Sequence, residues 1–342
     1  MGHIFGSSLF ILIKELAFMA GFIALLLTSS VRLEDYLESH NPQQEVLSQE
    51  VTPARAVDLR ESYHPVVASL GIYEAAFGQK VGDYVMLFTG MPVDEYNAIP
   101  LAQQMATDLK EISRYGLTPL VIVEPDSSWG LLNFNEFQQG LYEKGIRRYF
   151  EILKQEGITE DMLGIWIPFP EPNVPNWNHS ESTPQDYGAA VNTYLSEYRK
   201  VFPTGQSGIL LNSLTYEPND EEWNTGQFVS LLPYVENIQP GLVDWFGLQG
   251  FPWTPRDNQT AVPIHSAEQF LDSSLVIEAS QKLGVTHVWF NTGTYSAKYT
   301  LSSKDMIVID SSTRATILAS IESETKIFQT QGYSVLINFF AG

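Results

Sequence analysis

Cysteine is absent from all 342 residues, which excludes disulfides, thiolate metal sites and cysteine nucleophiles and suits an exported protein. Basic residues are few. Lys and Arg number 19 against 40 Asp and Glu, a formal charge of −21, so polyanions are repelled and a neutral partner is expected rather than nucleic acid. The six histidines show no metal-ligand spacing and HExxH is missing, so neither a metal nor another cofactor is expected. Neither GxGxxG nor GxxxxGK(S/T) occurs, and TGQSGI at 204–209 lacks the GxSxG pattern of a nucleophile elbow.

Long apolar runs are also scarce. Residues 9–13 (LFILI) and 16–27 (LAFMAGFIALLL) are split by Lys14 and Glu15, and a charge inside a membrane span costs about 2.5–3.5 kcal/mol. The second run is closer to the core of an export signal than to a full span, and the small residues 28–30 suit cleavage. Residues 1–30 therefore read as a signal peptide or membrane anchor, with a buried helix as the competing reading. Residues 31–61 read as a polar linker. The expected location is extracytoplasmic, secreted or tethered to a membrane through the N-terminus alone.

What the chain does contain is core-forming material, with 44% hydrophobic and 12% aromatic residues. Eight apolar runs stand out, at 66–77, 83–91, 117–125, 164–172, 207–213, 243–251, 286–295 and 333–342. Between most of them lie stretches with apolar residues at spacings of three and four, such as PLAQQMATDLKEISRYG and TPQDYGAAVNTYLSEYRKVF. Near-continuous apolar strands alternating with helices predict a parallel sheet covered on its outside. Eight such units predict an α/β fold of the (β/α)8 TIM-barrel type over residues 62–342.

Chemistry in such a barrel gathers at the C-terminal ends of its strands. The polar residues closing the eight runs are Glu74, Thr89, Glu124, Glu171, Asn212, Gln249, Asn291 and Asn338. Three glutamates and four amides suit hydroxyl-rich ligand groups and proton transfer. Trp129, Trp177 and Trp253 follow strands three, four and six in loop-like segments, where an indole can stack on a sugar face. Ordinary strand-end capping and burial under loops are the alternatives for each residue taken singly. Trp166, Trp245 and Trp289 fall inside strands and are expected in the core.

One stretch, GIWIPFPEPNVPNW at 164–177, sets Glu171 among prolines. Pro168, Pro170 and Pro172 cannot donate to a sheet ladder, so the backbone must leave regular pairing there and carry Glu171 into the barrel mouth. Flanking aromatic rings would exclude water and favour the neutral acid, as a general acid requires.

Pro168, Phe169, Glu171, Asn173 and Trp177 together resemble the strand-four motif of clan A glycoside hydrolases, most closely family 26, known for β-mannanases and endo-β-glucanases. VDWFGLQGF at 243–251 is similar to the strand-six segment of that family. The resemblance implies a carbohydrate substrate, a β-linked polysaccharide or oligosaccharide of mannan or glucan type, with Glu171 as general acid/base. The family places its nucleophilic Glu on strand seven, where Asn291 aligns. An amide is a poor nucleophile, which leaves three arrangements open. Glu124 or Glu74 partners Glu171, at the separation of roughly 6.5–9.5 Å that admits a water rather than the roughly 5–5.5 Å of a retaining pair. Otherwise a substrate acetamido group attacks with Asn291 orienting it, or the barrel binds a glycan through Glu171 and the aromatic residues without cleaving it. Glu74, Asn173, Trp177, Asn212, Gln249, Trp253, Asn291 and Trp129 are the expected substrate-binding residues.

Overall fold

The computed structural model describes residues 54–58, 84–127, 130–173, 183–213, 231–250, 253–256, 260–263, 271–293 and 311–340, and the counts and absences given for the structure refer to these alone. Eight parallel strands close into a barrel in chain order: β1 (Ala54–Asp58), β2 (Tyr84–Gly90), β3 (Thr118–Glu124), β4 (Ile165–Pro168), β5 (Gln206–Asn212), β6 (Trp245–Gln249), β7 (His287–Gly293) and β8 (Ser334–Phe340). Strand β8 returns to pair with β1, so the ring has no free edge. Five longer helices follow strands: α1 (Glu95–Arg114), α2 (Glu143–Gln155), α3 (Pro184–Val201), α4 (Ser273–Leu283) and α5 (Ser311–Thr330). The fold is the (β/α)8 barrel.

The helices start where local chemistry can satisfy their first N–H groups. Asp94 accepts from Tyr96 N at 2.9 Å and Asn97 N at 2.7 Å at the head of α1. Thr183 and Asp186 form a reciprocal capping box at the head of α3, with Pro184 in its first turn and Arg199 and Lys200 in its last.

The first strand corrects the expected boundaries. It lies at residues 54–58, inside the stretch read as a linker, so the barrel begins at or before Ala54 rather than at residue 62. The apolar run 66–77 falls outside the described residues. The sequence ARAVD makes no apolar run, and pairing on both sides makes it a strand: Ala54–Val57 stand opposite Leu336–Phe339, and Ala56–Asp58 opposite Tyr84–Met86. The proposed signal or anchor, residues 1–30, also lies outside the described residues.

Side chains alternate between the barrel interior and the helical shell, as the two-residue period of a strand requires. Met86, Leu120, Ile122, Ile165, Ile167, Leu210, Trp245, Trp289 and Leu336 form one buried cluster inside. Gly247 is needed there, since a Cβ at that position would stand 1.9 Å from Trp289 Nε1. Trp166 faces the other way, packing edge-on against Tyr149 and Phe150 of α2 and tilted against Tyr198 of α3. Thr89 belongs to the outward set of β2 with Val85 and Leu87, so the strand-two member of the expected polar rim points away from the mouth.

Candidate active site

Strand β4 is only four residues long, and the prolines explain how it ends. After Pro168 the remaining N–H groups are used alternately by the two neighbouring strands. Phe169 N donates to Val123 O of β3 at 2.8 Å, and Glu171 N donates to Leu210 O of β5 at 2.7 Å. Next, the Asn173 side chain takes the place of a peptide group: its Nδ2 donates to Asn212 O at 2.7 Å and its Oδ1 accepts from Asn212 N at 2.9 Å. The ladder thus runs past three prolines without leaving these groups of β5 unpaired.

Phe169 and Glu171 both adopt left-handed backbone, with φ of 54° and 55°. For side chains with a Cβ this costs on the order of 1–3 kcal/mol each and persists only where surroundings enforce it. The Phe169 ring is clamped between Phe134 at 5.1 Å, Phe137 at 5.3 Å and Tyr194 at 5.6 Å, in the helical shell. That anchoring, with the Glu171 N–H bond, turns the Glu171 carboxyl inward, where the residue is 3% exposed.

Two amides meet it there. Asn212 Nδ2 donates to Glu171 Oε1 at 2.5 Å, and Gln249 Nε2 donates to the same oxygen. A buried carboxyl without donors would be costly, and this one has two neutral donors on one oxygen. Gln249 Oε1 accepts from Asn291 Nδ2, and Asn291 Oδ1 accepts from Asn338 Nδ2 at 2.5 Å. Register explains the reach of this chain. Asn212 stands opposite Gln249, Gln249 opposite Asn291, and Asn291 opposite Asn338, one row across β5 to β8. Two residues below them on the same strands lie Leu210, Gly247, Trp289 and Leu336, so the interior changes from apolar to amide in one step of the pleat.

The expected site residues therefore divide. Glu171, Asn212, Gln249 and Asn291 come together in one buried network. Asn173 adjoins it, with its amide engaged by the Asn212 backbone rather than turned to the mouth. Glu124 is half-buried at the end of β3, on the inward-facing set with Leu120 and Ile122. Trp253 opens a two-stranded hairpin, Trp253–Arg256 with Thr260–Pro263, just after β6. Glu74, Trp129 and Trp177 lie outside the described residues. The sequence exposed the amides as strand ends, while their shared row depends on register, which no spacing along the chain reports.

No protein-family model matches the chain, and no curated protein matches it. Among solved structures, a family 1 β-glucosidase from Thermotoga maritima is similar at 14% identity and a TM-score of 0.46, over 81% of this chain and 76% of that one. The AHE enzyme from Alicyclobacillus herbarius is similar at 11% identity and a TM-score of 0.49, also over 81% and 76%. The barrel itself is established by its closed strand ladder.

Proposed function

We propose that this barrel is a glycoside hydrolase of the clan A type, cleaving a β-linked polysaccharide or oligosaccharide of mannan or glucan type, with Glu171 as the general acid. The carrying observation is the Glu171 carboxyl itself, buried at the C-terminal end of β4, held in left-handed backbone and fixed by two amide donors on Oε1. Strain and burial at a strand end are spent where a reacting group must be held in one place. As acid, Glu171 protonates the glycosidic oxygen while the bond to the anomeric carbon breaks. Glu124, on the inward set of the neighbouring strand β3, is the base that activates water on the opposite face of the sugar, so the product anomer is inverted.

One observation favours a second reading. Asn291 stands where the resemblance places a nucleophile, and both ends of its amide are taken by Gln249 and Asn338, as suits a barrel that binds glycans without cutting them. Reducing-sugar release by the full-length protein on β-mannan, β-glucan, xylan and chitin-type substrates separates the two. Hydrolysis is expected, falling by about 10²-fold or more in Glu171→Gln. Glycan affinity with no release, or release untouched by the substitution, overturns the catalytic assignment.

A further inference from the structure

The row of four amides has a direction, and the direction is forced. An ionised carboxylate only accepts hydrogen bonds, so Gln249 must turn Nε2 toward Glu171 and Oε1 toward β7. Asn291 must then donate through Nδ2 to Gln249, which leaves its Oδ1 facing β8, where Asn338 Nδ2 meets it. At the far end Asn338 Oδ1 is buried without a partner, while its Nδ2 also lies 3.9 Å from Met86 Sδ. An orphaned carbonyl of this kind costs about 1–3 kcal/mol. Turning the Asn338 amide over would bring its oxygen against Asn291 Oδ1 and break the row, so the orphan is the consequence of keeping the direction.

We propose that Asn338, Asn291 and Gln249 form a directed relay that positions the Glu171 carboxyl, holding Oε1 as an acceptor and placing the proton of the acid form on Oε2. Donors from Asn212 and Gln249 occupy the two lone-pair directions of Oε1, so the acid proton belongs on the other oxygen. Asn291 is thus a positioning residue. A carboxylate at 291 would face Gln249 Oε1 with an oxygen, and Gln249 would have to turn Nε2 away from Glu171 to satisfy it. The groups touching Glu171 from β5 and β6 are neutral amides, as are Asn291 and Asn338 on β7 and β8, and the titratable side chain on the adjoining strand is Glu124 of β3. This rests on Glu171 as the acid of the proposed reaction, whereas the relay can be read without substrate.

The test is NMR of the full-length protein with labelled Asn and Gln side-chain amides, beside carbon-labelled Glu carboxyls, followed through a pH titration. The amide resonances of Gln249, Asn291 and Asn338 are expected to move with the Glu171 midpoint, by amounts that fall along the row. Glu171→Gln should abolish all three responses. Gln249→Met should leave Asn291 and Asn338 unresponsive with the remaining backbone spectrum intact. Asn291→Asp, which keeps the shape, removes the donor and adds a like charge, is the second variant should the methionine variant lose its fold, and should raise the Glu171 midpoint by about one pH unit or more. Distal amides that ignore the Glu171 midpoint, or that still follow it in Gln249→Met, overturn the relay, as does an unchanged midpoint in Asn291→Asp. Co-titration in a protein that releases no sugar supports the relay and removes the catalytic reading. Hydrolysis without co-titration does the reverse.

Discussion

Asn173 does the work of a peptide bond with a side chain. Its amide pairs with both backbone groups of Asn212, the residue that donates to Glu171, in a region where proline has removed the ordinary donors. Asn173→Ala leaves a buried N–H and a buried C=O unpaired, each worth about 1–3 kcal/mol. The urea midpoint should fall by an amount consistent with that loss, and Asn212 should lose its fixed position against Glu171. Asn173→Asp keeps the acceptor for Asn212 N but sets an oxygen against Asn212 O, so it should not restore stability. An unchanged midpoint in the alanine variant would mean that water replaces the amide and that the ladder past the prolines is not needed.

Strand β1 shows what an element owes to its neighbours. A chain starting at residue 62 would keep all eight apolar runs from 66 to 342 and still lack Ala54–Asp58, leaving β8 and β2 as open edges. Open parallel edges with buried faces invite association. Truncation at 62 should therefore give insoluble or molten material, while a chain starting a few residues before Ala54 should fold, as near-UV circular dichroism and gel filtration would report. A soluble, cooperatively unfolding fragment from residue 62 would show that the barrel closes without β1.

The same strand marks how much was legible beforehand. Seven strands were visible because buried parallel strands are largely apolar, and α1 and α3 because their apolar residues recur at spacings of three and four. A strand of small residues that itself carries Arg55 and Asp58 gives no such signal. Of the polar strand ends, Glu124, Glu171, Asn212, Gln249, Asn291 and Asn338 fall on inward-facing strand ends or beside them, while Thr89 points outward and Glu74 lies outside the described residues. Hidden were the left-handed turns at Phe169 and Glu171, the outward aim of Thr89 and the single row of amides, since each depends on backbone conformation or strand register rather than residue type.

Charge belongs to the whole molecule. With a formal charge of −21, long-range repulsion acts on any polyanion before it reaches the barrel mouth, whatever the mouth itself can bind. A neutral mannan or glucan feels no such field. If the barrel cleaves β-glycans as proposed, the low-salt rate should be high on a neutral β-glucan and suppressed on its carboxymethylated counterpart. Raising ionic strength from about 0.01 M to about 0.15 M shortens the Debye length from about 30 Å to about 8 Å. That change should lift kcat/KM on the anionic polymer several-fold and leave the neutral substrate nearly unaffected, because only the anionic encounter is opposed over distance. A rate on the anionic polymer that falls with salt would instead reveal a local basic track at the mouth strong enough to override the net charge. The neutral glycan would then no longer be the natural substrate class.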